Sequence, residues 1–165
     1  MILASGCIMT TNIDDSTASA DWRSHLIEDD EGIARLLARV HRVAVLGIKT
    51  AQDSAQPAYF VAAYAKKAGF EIVPVPVYYP EAVEILGEQV YRAVADIPQR
   101  VDMVNVFRRP RDVTAHVADI IKAKPAAVWL QLGIRNDEAA EQFARAGIDV
   151  VQDRCLLVEL RNVGR

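Results

Sequence analysis

Only two cysteines, Cys7 and Cys155, occur in 165 residues, and they stand far apart with no metal-ligand spacing around either. That excludes a disulfide framework and a cysteine-built metal centre, and reduced thiols are expected. No apolar run reaches the roughly 18 residues that a membrane-crossing helix needs. The opening MILASGCIM lacks the basic start and long apolar centre of a secretory signal. A cytoplasmic protein with no membrane partner is therefore expected. Lys and Arg form no block, aromatic residues make up only 7% of the chain, and the net charge is −3. Those three facts argue against a nucleic-acid surface. GxxxxGK[ST], GxSxG and HExxH are all absent, and His25, His41 and His116 are scattered, so neither a P-loop, a nucleophile elbow nor a metal site is expected. The acid pairs Asp29-Asp30 and Asp137-Glu138 stand where helices should begin, where they complement the helix dipole.

What is present is a chain 52% hydrophobic, long enough to bury the core of a single domain. Residues 1–24 are rich in Thr, Ser, Asp and Asn without periodicity, which predicts a mobile tail ahead of a domain over 25–165. Apolar spacing then predicts helices over 27–40, 57–68, 112–122 and 137–146, and strands over 42–46, 71–77, 102–107, 126–132 and 149–152. The segment 78–98 fits least well, with a short helical pattern near 81–86, and reads as a lid or an excursion over one edge. Strands such as VAVLG and AAVWLQL are apolar on both faces, as parallel strands covered by helices must be. The expected fold class is α/β, a doubly wound parallel sheet of about five strands.

In such sheets ligands bind beyond the carboxyl ends of the strands, where strand order reverses. Arg108 and Arg109 end one strand, Gly47-Ile48-Lys49-Thr50 follows another, and Val75-Pro76 ends a third. Together with the backbone N–H groups at the Pro57 helix start, these cations predict an anionic, phosphate-bearing ligand. The competing explanation is that charged loop residues are commonly just solvated. Gly47 stands alone, outside any GxGxxG pattern, and no acidic residue ends the second strand. Both facts weaken an NAD-type reading.

The order VAVLG, QPAYFVAAYAKKAGF, IVPVPV, GEQVYRAVADIP, VDMVNVFRRP and AAVWLQLGIRNDEAAEQFARAGIDVVQDRC resembles the small stand-alone CoA-binding proteins. It is similar to the CoA-binding domain of the succinyl-CoA synthetase alpha subunit over about residues 42–160. The resemblance implies a Rossmann-like fold and CoA, or an acyl-CoA, as cofactor. It implies that Gly47, Ile48, Lys49 and Thr50, with Gln56 and Pro57, receive the CoA phosphates, and that Val75 and Pro76 line the adenosine. Phe107, Arg108 and Arg109 would form the opposite wall, with Gln131, Leu132 and Gly133 deeper, toward the pantetheine. Cys155, beside Arg154, is a candidate redox thiol that could form a mixed disulfide with CoA, although a cysteine after a strand is more often a small buried hydrophobe. A non-catalytic binding or regulatory module is the expected function. The alternatives are a subunit of an acyl-CoA ligase or transferase and a nucleotide-binding protein of the NAD type. A protein partner is possible and unidentified.

Overall fold

Asp29 has extended backbone (φ −91°, ψ 151°), and its carboxylate accepts a 2.7 Å bond from the Gly32 N–H, so helix α1 (Asp30–Arg39) starts there and not at residue 27. Its buried residues Ile33, Leu36 and Leu37 recur at helical spacing and face the sheet. Helix α2 (Pro57–Lys67) begins with proline at its first turn, where no N–H is needed, and stops before Gly69 at φ +95°. The computed structural model describes residues 22–165. The expected tail over 1–21 lies outside the described residues. Residues 22–24, read from the sequence as tail, belong to a 3-10 turn (Trp22–His25). There the Trp22 ring packs on the core between the guanidinium groups of Arg23 and Arg145.

The strands are β1 (Arg42–Leu46), β2 (Glu71–Val75), β3 (Glu84–Ile85), β4 (Glu88–Gln89), β5 (Met103–Val106), β6 (Ala127–Leu130) and β7 (Asp149–Val151). Five of them form one parallel sheet in the order β2-β1-β5-β6-β7. Helices α1, α2 and α5 (Leu156–Asn162) cover one face, while α3 (Val117–Ala123) and α4 (Asp137–Arg145) cover the other. This is the expected Rossmann-like, doubly wound sheet, and strand order reverses between β1 and β5.

Three local expectations are corrected. The pattern over 81–86 is not helical: β3 and β4 form an antiparallel hairpin, with Leu86 (φ +56°) and Gly87 (φ +76°) at its turn. Positive φ at both central residues is what a tight hairpin of matching twist requires. The hairpin leads back over the β2 edge, where the Tyr91 N–H bonds the Pro74 carbonyl at 2.9 Å. The helix expected over 112–122 opens instead as two 3-10 turns, Pro110–Asp112 and Thr114–His116, and becomes α-helical only at Val117. Helix α5 went unread, although Leu156, Leu157 and Leu160 carry its spacing; it packs against α1 and α2.

One polar device crosses the apolar interior. The buried Gln131 amide donates to Asn105 Oδ1 at 2.8 Å and accepts from the Leu156 N–H at 3.3 Å, tying β5 and β6 to the start of α5.

Candidate functional site

The tips of β1, β2 and β5 converge because parallel pairing aligns Leu46 with Val75 and Val106. The chain must leave β1 abruptly there. Gly47 adopts φ +85°, and a Cβ at that position would stand 2.3 Å from the Phe107 carbonyl oxygen. Only glycine permits this approach. The Gly47 N–H bonds the Val75 carbonyl at 2.8 Å and the Phe107 N–H bonds the Leu46 carbonyl at 2.9 Å, so the three tips are stitched together at one point. Ile48 drops into the core, while the Lys49 N–H bonds the Ala58 carbonyl at 3.2 Å and so fastens the start of α2 to this loop. Gln56, exposed at that start, donates from Nε2 to Asp53 Oδ1 at 2.9 Å.

The two arginines part company. Arg109 is exposed, ahead of the 3-10 turn that Pro110 opens. Arg108 turns inward and its side chain is only 15% exposed. Its nearest carboxylate, Asp112, stands 3.7 Å away, and its Nε is buried with no hydrogen-bond partner. Tyr78 joins the two cations, its ring lying 4.9 Å from Lys49 Nζ and 5.9 Å from the Arg108 guanidinium. Tyr79, left-handed at φ +63°, donates its hydroxyl to Asp53, and that bond together with burial pushes its phenol up to about 12. The Arg92 guanidinium bonds the carbonyls of Tyr79, Pro80 and Ala82 and so holds the turn over the tips. Between this turn and the start of α3 lies a cleft of about 520 Å³, walled by Leu46, Pro76, Tyr78, Tyr79 and His116. A second cleft of about 510 Å³ lies on the other side of Tyr79.

Val75 and Pro76 are buried in the floor of the tips. Gln131 and Gly133 belong to the β6 tip: the Gln131 amide is engaged at both ends, and the Gly133 N–H bonds Asp153 Oδ1 at 2.6 Å. Cys155 is half-buried at the start of α5. The neighbouring Arg154 guanidinium bonds Asp30, Glu159 and the Glu28 carbonyl, so its charge is already matched by carboxylates. Cations also flank a cleft at the opposite, amino end of the sheet, but Arg39 and Lys124 there close α1 and α3 and complement the negative ends of their dipoles. Asp149 pairs with both Arg39 and His25 at that end.

Sequence reasoning missed Tyr78, Tyr79, Asp53 and His116. Burial, and then the nearby Arg108 charge, hold the His116 imidazole below its ordinary 6.5. The unfolded chain therefore takes up a proton there first as pH falls, and the unliganded protein loses stability below about pH 6.5. The Asp119 and Asp112 carboxylates oppose this shift without cancelling it. Urea midpoints measured down through this window should fall more steeply for wild type than for His116→Gln; parallel curves would contradict the assignment.

Among the described residues, no group of three or more His, Cys, Asp or Glu side chains is placed to hold a metal ion. No helix among them is long and apolar enough to cross a membrane.

The family model for the CoA binding domain matches residues 41–161 of this chain. The chain belongs to the CoA-binding domain family. This CoA-binding domain is 30% identical over 126 residues to the uncharacterized protein YneT of Bacillus subtilis, an alignment that spans 76% of this chain and 90% of that one. It is similar to the solved structure of cell-free ID.343 from Thermus thermophilus, with a TM-score of 0.75, 33% identity, and coverage of 82% of this chain and 99% of that one. A more distant likeness, to dinucleotide-forming acetyl-coenzyme A synthetase 1 of Ca. Korarchaeum cryptofilum, has a TM-score of 0.58 and 20% identity. It covers 68% of this chain and 25% of that one, and it shows a shared fold alone.

Proposed function

We propose that this chain is a CoA- or acyl-CoA-binding module that holds its ligand at the tips of β1, β2 and β5 for delivery or regulation and performs no chemistry itself. The observation that carries the reading is Arg108. It is a largely buried guanidinium with an unpartnered Nε and a single, long ion pair to Asp112 at 3.7 Å, beside Lys49 and the Gly47 turn. Leaving a buried charged donor unsatisfied costs free energy unless a ligand completes it. A diphosphate supplies the missing acceptors, with Arg108 giving forked bonds, Lys49 a point charge and Thr50 a place at the flank.

The polar groups around the cleft support binding over catalysis. The Asp119 carboxylate accepts from the Val94 and Ala95 N–H groups and so holds a turn. Asp53 and Tyr79 hold each other, and a phenol pushed up to about 12 is poorly matched to proton transfer near neutrality.

Thermal unfolding with CoA, NAD and ATP tests the reading. At 100 times its Kd a ligand adds about 2.7 kcal/mol, which raises the midpoint of a domain of this size by about 5–10 °C. CoA should do so, whereas a shift with NAD and none with CoA would overturn the assignment. The second reading, a subunit of an acyl-CoA ligase, draws on the acetyl-coenzyme A synthetase, in which the matching region is a quarter of a longer chain. Thioester formation by the purified chain from a carboxylic acid, ATP and CoA would favour that reading.

A further inference from the structure

We infer that His116 is a third cationic contact for the phosphates of the bound ligand, and that it gains its charge only as the ligand arrives, so that binding draws a proton from solution. This rests on the CoA reading above and adds to it a binding residue and a pH dependence.

His116 and Arg108 border one hollow from two different elements. The Tyr78 ring lies 5.9 Å from the Arg108 guanidinium, and the same ring walls the cleft of about 520 Å³ that His116 closes from the start of α3. The imidazole is half-buried, and neither ring nitrogen has a hydrogen-bond partner among the described residues. The ionisable groups around it come from every neighbouring element: Arg108 after β5, Asp112 in the first 3-10 turn, Asp119 on α3, and Arg92, Tyr78 and Tyr79 in the segment after β2. Most of them are already committed. Asp119 accepts from the Val94 and Ala95 N–H groups, Arg92 donates to three carbonyls, and Asp112 stands between Arg108 at 3.7 Å and Arg111 at 3.8 Å. The Tyr79 phenol, bonded to Asp53 and pushed up to about 12, stays neutral. Arg108, with its unpartnered Nε, is the neighbour whose surroundings a ligand would change.

Burial, and then the Arg108 charge, keep this imidazole mostly neutral near pH 7 in the empty protein. Burial persists when the ligand binds. A phosphate on Arg108 cancels the second cause, and it brings anionic oxygens within reach of a ring that has no acceptor of its own. An opposite charge a few ångströms away favours the protonated ring, which then donates a charge-assisted bond. The competing explanation is that His116 only carries the chain from the 3-10 turn into α3. A ring with that role alone would titrate alike with and without ligand.

Proton NMR of the intact chain with and without CoA, from about pH 5.5 to 8, tests this. The chain has three histidines. His25 pairs with Asp149 and His41 precedes β1, both at the amino end of the sheet. Their ring signals should keep their midpoints while the His116 signal moves to higher pH. Calorimetric titration with CoA in two buffers of different ionisation enthalpy should show roughly half a proton more taken up by wild type than by His116→Gln near pH 6.5. The ratio of wild-type to variant affinity should rise about three- to tenfold between pH 8 and pH 6; in that ratio the titration of the ligand's own phosphates cancels. If CoA binds and all three ring signals keep their midpoints, or if His116→Gln alters affinity equally at every pH, the charged contact is overturned and the CoA reading stands. Absence of CoA binding across the whole range would remove both.

Discussion

Replacing Arg108 and Lys49 together by alanine is expected to weaken CoA binding by roughly 100- to 10,000-fold, at about 1.5–3 kcal/mol per charge-assisted bond and 1.4 kcal/mol per factor of ten. The unliganded double variant is expected to melt no earlier than wild type. The two expectations are joined by one fact: the Arg108 Nε is buried without an acceptor, and the nearest carboxylate is 3.7 Å away. Without ligand, such a group is a cost to the fold, and deleting it removes that cost along with the attraction for phosphate. Retained affinity would show that the cations serve the fold or solvent. A large fall in melting temperature would show that Arg108 is structural. Single variants separate the fork of Arg108 from the point charge of Lys49, and Arg108→Lys should recover only part of the loss because ammonium cannot span two oxygens.

Gly47→Ala is expected to destabilise the protein by about 3–4 kcal/mol, combining roughly 1–2 kcal/mol for a left-handed backbone with a Cβ and the loss of two tip hydrogen bonds worth about 1 kcal/mol each. The added methyl would stand 2.3 Å from the Phe107 carbonyl oxygen, closer than any real contact, and the obstacle is backbone at the end of a central strand. Relief requires β1 and β5 to part at their tips, which breaks the bonds from Gly47 to Val75 and from Phe107 to Leu46. Equilibrium urea unfolding measures the effect; a midpoint equal to that of wild type would show that the tips yield freely. CoA binding should fail in this variant even where it still folds, because the displaced loop carries Lys49.

The strands were legible because the central segments VAVL and AVWL are apolar on both faces and MVNV departs from that only at Asn105, so they permit hardly any other reading. From that, the rule that ligands sit beyond the carboxyl ends of the strands was enough to bring Gly47, Lys49 and Arg108 together. It could not separate Arg108 from Arg109, because inward and outward positions at a strand exit depend on where the following proline sends the chain. Nor could it find Tyr78 and Tyr79. Their placement depends on the segment after β2 folding back through a hairpin whose turn sets a leucine at positive φ, a conformation that residue type does not advertise. Helix α5 was legible in its leucine spacing and was missed because the alternation of strands and helices had already closed. His116 entered the site through two short 3-10 turns that replaced the regular helix expected there.

A parallel sheet leaves two outer strands, each with a row of peptide groups facing away from its neighbour. On β2 that row includes Pro74, which has no N–H to offer, and its carbonyl is taken by Tyr91 as the chain returns from the hairpin. On β7, Leu26 runs alongside Val150, and the Ile27 N–H closes on the Val150 carbonyl at 2.8 Å. The stretches outside the repeating strand–helix pattern thus act as selvedges, finishing both margins of the woven core. A version trimmed to residue 28 would keep every strand and most of its apolar interior yet expose the β7 margin to foreign strands. Its failure would then be seen as self-association in solution before any loss of secondary structure.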